Sequence, residues 1–391
     1  MKVEEKICPY FGECGGCSLQ NIEYSEQLNK KEQNLIEYLK YYEVYEKVKE
    51  FKPFVQSPKI WYYRNKMEFS FSQKNKELIL GLHKKQRVKE IVDIKECAIF
   101  STRAMKVARK LLELFNKEGY SAYDVFKRKG FLRHLVLRET KFTQELMINI
   151  VTTSAKELDK EKILKILQED IDSGYVKSVY HTVNDSASDA VIFEKCSLLA
   201  GREYIIEKLD DLYFKIYPES FFQTNSECVL LLYKNAQKYS DFDREKNVLD
   251  LYCGAGVLSL FLAKNSKKVK GVEIVEKAVL NAFENAELNK IKNTEFIQGD
   301  VAKILYFKRE DFKNTELVVC NPPRAGMSKK VLRRIFDINP KYIIYISCNP
   351  KTLAENLYQI KEKINIRFIE PYDFFPHTLH LETLAFLEVL K

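Results

Sequence analysis

The spacing of apolar residues predicts two different kinds of structure along the chain. Between residues 59 and 208 apolar and polar residues mostly alternate, which is typical of short strands packed on one face. The strands predicted here include Lys66–Gln73, Leu132–Glu139 and Gln144–Val151, and helical spacing interrupts them at Thr102–Asn116 and Lys156–Ile171. A long charged helix, Tyr24–Lys49, is predicted before this region.

From Asn247 onward the pattern changes to regular alternation of strands and helices. The predicted strands are Val248–Leu251, Lys268–Glu273, Leu317–Cys320 and Tyr342–Ser347, with helices Val257–Lys264, Glu276–Asn289 and Lys329–Phe336 between them. Such alternation indicates a parallel, doubly wound α/β sheet. Two further strands, Ile366–Asp373 and Leu381–Leu390, are expected to lie side by side at its end. We therefore predict an α+β domain over residues 1–210 and an α/β domain over residues 211–391.

Composition narrows the class of protein without identifying it. The 64 Lys and Arg residues exceed the 55 Asp and Glu residues, and the resulting net charge of +9 is compatible with a nucleic-acid partner. Residues 1–7 are charged, so no signal peptide is expected. The longest apolar run, Val248–Ala263, contains Asp250 and a Gly-x-Gly turn, which argues against a membrane span. Nine cysteines in an apparently cytoplasmic chain favour metal, cluster or catalytic roles over disulfides.

A nucleoside-binding turn is predicted where the first strand of the α/β domain ends. The segment from Asp250 to Gly256 supplies a Gly-x-Gly pair before a helix, but Ser259 replaces the third glycine of a dinucleotide fingerprint. Glu273 ends the next strand and could bind the ribose hydroxyls, and Asp300 follows a third short strand. The plainer interpretation is a tight strand–helix turn with no ligand.

A nucleophile and a base are predicted at the same edge of the sheet. Cys348 ends a strand just before a helix whose N-terminus could stabilise its thiolate, beside the stiff loop that carries Arg324. Addition of a thiolate to C6 of uracil activates C5 toward a methyl group, and a base must then remove the C5 proton. Glu382 is the predicted base, because an apolar strand would raise its pKa. The alternatives are a buried structural cysteine, as expected for Cys228, Cys253 and Cys320, and a carboxylate that faces water.

Basic stretches with interleaved aromatics predict contacts to single-stranded RNA. The stretch Lys127–Arg138 holds five Lys and Arg residues plus His134, and Trp61–Lys66 alternates aromatic and basic residues. For Lys84–Lys89, a solvated charged surface is the preferred interpretation.

Taken together, these motifs resemble the RNA uracil-5-methyltransferase family over nearly the whole sequence. The resemblance is carried by Cys8–Cys17, Tyr63–Phe69, Phe131–Arg138, Pro218–Asn225, Leu251–Gly256, Asn321–Gly326, Ser347–Pro350 and Asp373–Glu382. It implies a class I methyltransferase fold, in keeping with the terminal antiparallel strand, with S-adenosylmethionine as cofactor. It further implies that Cys348 is the nucleophile, that Glu382 is the base, and that the cofactor is contacted by Gln223, Tyr252, Val257, Glu273, Asp300 and Asn321. RNA contacts are expected from Arg133, His134, Arg138 and Arg324.

Two departures from the family pattern stand out. Asn321 occupies a position where the family usually has aspartate, which keeps the hydrogen-bonding shape but loses the charge. The larger rRNA enzymes of the family begin with a small β-barrel, whereas here only seven residues precede Cys8, so no barrel is expected.

A four-cysteine site is predicted near the start of the chain. Cys8, Cys14 and Cys17 lie within ten residues that include three glycines, and Cys97 is the best fourth ligand. In the resembled family this set binds a [4Fe–4S] cluster. Four thiolates also suit zinc, and unliganded cysteines remain an alternative. The x5 first gap argues against the radical chemistry of other S-adenosylmethionine enzymes.

The main functional expectation is methylation of a uridine in 23S rRNA. One alternative is the same reaction on tRNA, a second is an RNA-binding protein without catalysis, and a third is cytosine-5 methylation. No obligate protein partner and no membrane association are expected.

Overall fold

The computed structural model describes residues 8–193 and 195–390. Residues 1–7, for which we expect no signal peptide, lie outside the described residues. Nine α-helices and sixteen strands are present in the described ranges. The helices are α1 (Tyr24–Tyr41), α2 (Thr102–Lys117), α3 (Lys160–Asp172), α4 (Ser226–Tyr239), α5 (Val257–Ala263), α6 (Glu276–Leu288), α7 (Val301–Phe307), α8 (Lys329–Ile338) and α9 (Pro350–Ile360).

The strands form two large sheets and one hairpin. Those of the first sheet are β1 (Lys66–Lys74), β2 (Glu77–Lys84), β3 (Arg87–Asp93), β4 (Leu132–Glu139), β5 (Leu146–Thr152), β6 (Val176–Val183) and β7 (Lys195–Gly201). The hairpin is β8 (Ile205–Leu209) and β9 (Leu212–Ile216). Those of the second sheet are β10 (Asn247–Leu251), β11 (Lys268–Glu273), β12 (Thr294–Gln298), β13 (Thr315–Cys320), β14 (Tyr342–Ser347), β15 (Ile364–Tyr372) and β16 (Glu382–Val389).

The first sheet confirms the α+β character predicted for this part of the chain. Its order is β3-β2-β1-β4-β5-β6-β7, and every pairing is antiparallel except that between β5 and β6. Apolar side chains from alternate positions, such as Phe69, Leu135 and Ile148, pack under α2 and α3. The opposite face carries polar residues, among them His134 and Arg138. The central strands are therefore buried on both faces, although only one face is apolar.

The second sheet confirms the predicted doubly wound α/β architecture. Its order is β12-β11-β10-β13-β14-β16-β15, with parallel pairing from β12 to β14 and antiparallel pairing of β16 with both neighbours. Successive residues of one strand enter the apolar cores on opposite faces of the sheet, as Val248 and Leu249 do. This two-sided burial is what continuous apolar strands require.

The first helix is shorter than the sequence predicts. It ends at Tyr41 because Glu43 adopts a left-handed conformation with φ of 54°, so the predicted extension to Lys49 is wrong. Beyond a short 3₁₀ turn, residues 48–55 run in the extended conformation beside β15, with isolated bridges at Val48, Phe51 and Val55.

The cores of the second sheet include residues from both sides of position 210. Helix α1 packs against α9, and its Leu35 and Leu39 enter a core of the second sheet. Residue 210 lies in the turn of the β8–β9 hairpin, which also packs into a core of the second sheet. The second structural unit thus includes both the N-terminal helix and this hairpin. No helix among the described residues is long and apolar enough to cross a membrane.

Candidate active site

All predicted cofactor and catalytic residues except Gln223 lie at or directly after the carboxyl edge of the second sheet. The parallel strands β10 to β14 end there, and the antiparallel β16 begins there. Ligands of open α/β sheets bind at this edge, since loops and helix N-termini converge on it. Gln223 lies in the segment before α4, where its carbonyl accepts a hydrogen bond from Asn65 Nδ2 at 2.8 Å.

The turn after β10 has the open backbone that a bound nucleoside needs. Tyr252 and Gly254 adopt left-handed φ values of 64° and 54°, and no atom lies within 4 Å of the place where a Cβ on Gly254 would stand. Gly256 is the left-handed N-cap of α5, and a Cβ there would meet Phe296 at 2.9 Å. The first glycine therefore leaves space for a ligand, and the second permits close packing of the helix on the sheet. Val257 follows as the first residue of α5.

Two acidic residues are fixed beside this turn by backbone hydrogen bonds. Glu273 Oε2 accepts a hydrogen bond from Gly254 N at 3.1 Å, and its Oε1 accepts from the N–H groups of Ile274 and Val275. Asp300 caps α7 by accepting from Lys303 N at 2.9 Å. These bonds orient both carboxylates and leave further lone pairs for a ligand.

Cys348 and Glu382 are brought together by strand pairing. Ser347 pairs with Thr383, so the register places Cys348 opposite Glu382 where β14 ends and β16 begins. Glu382 is 2 % exposed, and burial raises its pKa to about 8. Its Oε2 atom is buried without a hydrogen-bond partner among the described residues. Because β16 lies between two strands, the alternative of a carboxylate facing water does not hold.

Arg324 faces both of these groups from the loop after β13. Burial raises the pKa of the Cys348 thiol, and the carboxylate of Glu382 raises it further. Arg324 opposes both effects through its charge and a hydrogen bond to the thiol, and it also lowers the pKa of Glu382. The expected helix N-terminus is present, with Asn349 as the N-cap of α9.

Two residues of the site were quoted within motifs but given no role by sequence reasoning. The pKa of His380 is lowered first by burial and then by the positive charges of Arg324, Lys31 and Arg64. His380 is exposed just before Glu382, so it stands at the entrance of the site. In the sequence, His380 and Arg64 could have been singled out only by their positions within the motifs Asp373–Glu382 and Tyr63–Phe69. A position within a motif does not show which other side chains the residue contacts.

Three of the four predicted RNA contacts are buried in the first sheet. Arg133, His134 and Arg138 are each no more than 5 % exposed, whereas Arg324 is exposed. Arg133 donates from Nη1 to the carbonyls of Asn184 and Ser186 and from Nη2 to that of Ser188. In this arrangement the buried side chains are not available to phosphates. His134 and Arg138 lie at alternate positions on the covered polar face of β4, whereas Arg133 lies where the pairing of β4 with β5 is irregular.

The aromatic segment Trp61–Lys66 is also used inside the molecule. Trp61 stacks on His377 with ring centroids 3.8 Å apart, and Tyr63 is 1 % exposed and donates to the carbonyl of Pro376. In this structure the rings of Trp61 and Tyr63 are therefore occupied by contacts within the chain and are not available to stack on RNA bases. In the stretch Lys84–Lys89, Lys84 and Arg87 pair with Glu90 on a charged surface.

The four predicted ligand cysteines surround one small cavity. Cys8, Cys14, Cys17 and Cys97 line a space of about 30 Å³ together with Tyr10, Phe11, Gln20, Leu82, Ile94 and neighbouring backbone. Burial raises the pKa of Cys17 to about 11 and that of Cys97 to about 12. Among the described residues, however, no three metal-binding side chains converge closely enough to hold a metal ion. The three cysteines expected to be structural, Cys228, Cys253 and Cys320, are buried as predicted.

Comparison with known proteins identifies the family. The tRNA (uracil-5-)-methyltransferase family model matches residues 23–390. An RNA methyltransferase of Clostridium tetani is 39 % identical over 391 residues, covering 98 % of this chain and 84 % of the relative. One from Caldanaerobacter subterraneus is 39 % identical over 386 residues, covering 98 % and 85 %.

A solved structure extends the similarity to three dimensions. It is the tRNA (uracil-54, C5)-methyltransferase of Pyrococcus abyssi in complex with S-adenosyl-L-homocysteine. Its TM-score is 0.79 at 33 % identity, covering 96 % of this chain and 86 % of that one. The α/β unit described above accordingly has the class I methyltransferase fold, and the chain is an RNA methyltransferase that uses S-adenosylmethionine. This chain belongs to the tRNA (uracil-5-)-methyltransferase family.

Proposed function

We propose that this protein methylates C5 of a uridine in RNA through a covalent adduct between Cys348 and C6 of the base. The observation that carries the proposal is the pairing of Cys348 with a fully buried carboxyl, Glu382, whose Oε2 has no partner among the described residues. A nucleophile and a base that face one space are what reversible addition to a pyrimidine requires.

The residues at the sheet edge fit S-adenosylmethionine, whose sulfonium supplies an electrophilic methyl group. The space beside Gly254 lets the ligand approach the protein backbone. The carboxylate of Glu273, fixed by its hydrogen bonds, suits the two ribose hydroxyls of the ligand. Asp300 is proposed to bind the adenine edge, and Gln223, Tyr252, Val257 and Asn321 complete the contacts. With an amide at Asn321, that contact is proposed to rest on hydrogen bonding rather than charge.

Each step of the proposed reaction uses a group of this chain. Arg324 stabilises the Cys348 thiolate, whose electron pair forms a bond to C6 while the C5–C6 π electrons become available at C5. After methylation, Glu382 takes the C5 proton. The electrons of that C–H bond restore the C5–C6 double bond, and the C6–S electron pair returns to sulfur. The last step needs Glu382 deprotonated, which its raised pKa makes dependent on pH.

For the cysteine site we propose a [4Fe–4S] cluster held by Cys8, Cys14, Cys17 and Cys97. The cluster would act as a structural group with four thiolate ligands, and zinc is the alternative. Support comes from the shared cavity and from the all-cysteine donor set.

For the RNA, we propose 23S rRNA, with tRNA as second candidate. The cysteine set favours rRNA, since it resembles that of the rRNA enzymes. The similarity to a solved tRNA enzyme favours tRNA. Among the predicted RNA contacts, exposed Arg324 is proposed to touch RNA directly, whereas Arg133, His134 and Arg138 support the surface from beneath. Because the reactive thiol must stay reduced, we propose that the protein works in the cytoplasm.

The decisive test is transfer of label from S-adenosylmethionine to separately transcribed, unmodified 23S rRNA and tRNA, followed by digestion and identification of the nucleoside. We expect 5-methyluridine from rRNA. The same nucleoside from tRNA alone would keep the reaction and change the substrate. Labelled 5-methylcytidine, or no labelled pyrimidine from either RNA, would contradict the proposal.

A further inference from the structure

Helix α1 buries two polar side chains against the segment that leads into the proposed base. Gln27 and Lys31 lie one turn apart, and both are 0 % exposed. Lysine is rarely buried completely unless it is paired. Here the buried face of the helix meets residues 373–381, which connect β15 to β16 and which we name the base loop.

The contacts hold three alternate residues of the base loop. Lys31 Nζ donates to Asp373 Oδ1 at 2.6 Å and to the carbonyl of Phe375 at 3.0 Å. His377 donates its backbone N–H to Gln27 Oε1 at 2.8 Å, and the Gln27 amide nitrogen lies 3.2 Å from His377 Nδ1. One face of α1 therefore fixes the loop through both its side chains and its backbone.

Other parts of the chain hold the base loop from different directions. Asn225 Nδ2 donates to the carbonyl of Phe374 at 3.1 Å. The N–H groups of Ser18 and Leu19, directly after the last cysteine of the N-terminal segment, donate to the carbonyl of His377 at 2.8 and 3.0 Å. The loop is thus held from both sides up to His377, five residues before Glu382.

This arrangement bears on Glu382 because its own carboxyl is weakly anchored. Glu382 Oε2 has no hydrogen-bond partner among the described residues, so the carboxyl is placed by the backbone on either side. Pairing of Thr383 with Ser347 fixes the side that follows, and the base loop fixes the side that precedes. An apolar pair in place of Lys31 and Asp373 would fill the volume without fixing a direction, and buried ion pairs are not favoured for stability alone.

We propose that Lys31 is a positioning residue, which through Asp373 and the base loop sets Glu382 for removal of the C5 proton. The inference rests on the proposed function. Lys31 does not touch the substrate. Its loss should impair the step in which Glu382 takes the proton and the C6–S bond breaks, and should leave the earlier attack of Cys348 intact.

The test separates these two steps with the rRNA or tRNA transcript that accepts the methyl group in the labelling assay. In the same transcript made with 5-fluorouridine, C5 carries no proton, so the adduct forms and persists without any action of the base. The variant is Lys31→Met/Asp373→Asn, which removes both charges and leaves neither unpaired. The matched control is Lys30→Met on the same helix, because Lys30 forms an exposed pair with Glu26.

For the double variant we expect turnover on the uridine transcript to fall at least about tenfold, with labelled covalent complex accumulating on denaturing gels. Adduct formation on the fluorinated transcript and the dissociation constant for S-adenosyl-L-homocysteine should match those of the wild type. Normal turnover, or a parallel fall of adduct formation on the fluorinated transcript, would overturn the proposal.

A second variant covers the case in which the double variant does not fold. Gln27→Met leaves the ion pair in place and removes the bonds to His377, together with one bond from the Gln27 amide to the carbonyl of Ile22 on its own side of the contact. The same accumulation of adduct is therefore expected to a smaller extent. Its absence would also overturn the proposal. If the wild type methylates no pyrimidine, the proposed function itself fails, and the two failures are therefore distinguishable.

Discussion

The buried carboxyl of Glu382 makes the proposed reaction sensitive to pH. Burial raises its pKa from 4.5 to about 8, so the group is mostly protonated at neutral pH in the free chain. A base must lose its proton before it can accept one. We expect kcat to rise with pH through about 8 as Glu382 loses its proton, and the raised pKa of the Cys348 thiol adds to the rise at higher pH. Steady-state methylation between pH 6 and pH 9, roughly the range over which a group of this kind titrates, measures the effect. A flat profile would contradict it.

The same carboxyl should lower stability at alkaline pH. Between its ordinary pKa of 4.5 and its folded pKa of about 8, the folded chain holds a proton that the unfolded chain has released. The free energy of unfolding therefore falls as pH rises through this window. The variant Glu382→Gln should remove that fall and be more stable than wild type by a few kcal/mol at the alkaline end. Urea unfolding at both ends of the window tests this prediction.

The control for that experiment lies on the same strand. Hydrogen bonds from Arg367 and Asn365 hold the pKa of the half-buried Glu388 below its usual range, so Glu388 is deprotonated in the folded chain throughout the window. Glu388→Gln should therefore show no gain at alkaline pH. An equal gain in both variants would point to a general effect of charge.

The thiol of Cys348 is the other residue on which the proposal depends. Cys348→Ala should lower methylation by more than about a thousandfold and abolish covalent complexes with RNA. Binding of S-adenosyl-L-homocysteine, measured by calorimetry, should not change, because the proposed cofactor contacts lie on other loops. The matched control is Cys196→Ala, which removes an exposed thiol from β7 in the first sheet. Methylation that survives in Cys348→Ala would exclude Cys348 as the nucleophile and with it the covalent adduct.

At the scale of elements, sequence patterns predicted the second sheet far better than the first. Strands β11 and β14 were predicted to the residue, as was β4 in the first sheet, and in the second sheet helices between the strands also mark where each strand ends. In the first sheet β2, β3, β6 and β7 were not delimited, and on β4 the polar residues were interpreted as exposed. The alternation of apolar and polar residues shows which face of a strand is polar. It does not show whether another segment of the chain will cover that polar face.

Arg133 shows what that cover does. Its guanidinium donates to three carbonyls of the segment 184–188, which lies over the polar face. Replacing Arg133 by an apolar residue should leave those three carbonyls without their hydrogen-bond donor. Arg133→Met should lower the free energy of unfolding by about 2 to 4 kcal/mol and speed amide exchange over this segment. Lys129→Met, an exposed change in the same basic stretch, should do neither. Unchanged amide exchange over this segment in Arg133→Met would show that Arg133 does not hold the segment in place, and would favour a direct contact between Arg133 and RNA.

At the scale of the whole molecule, the cysteine segment joins the two structural units. Gly15 N donates to the carbonyl of His83 on β2, and Lys85 N donates to that of Glu13. Ser18 and Leu19 bond the base loop of the second unit. Sequence reasoning proposed Cys8, Cys14 and Cys17 from their spacing and added Cys97 as the best fourth ligand. It could not find this bridge, since backbone hydrogen bonds between distant segments leave no trace in residue types.

Occupancy of the cysteine site should therefore affect the entire chain. Protein purified without oxygen is expected to contain iron and inorganic sulfide and to show the visible absorption of a [4Fe–4S] cluster. Cys97→Ala should lose this absorption and lower the melting temperature, because the segment then keeps only its backbone hydrogen bonds to the first sheet and loses the ligand that ties it to Cys97. Cys196→Ala should keep both properties. Stoichiometric zinc without iron would identify the alternative metal, and an unchanged melting temperature in Cys97→Ala would show that the bridge holds without any ligand.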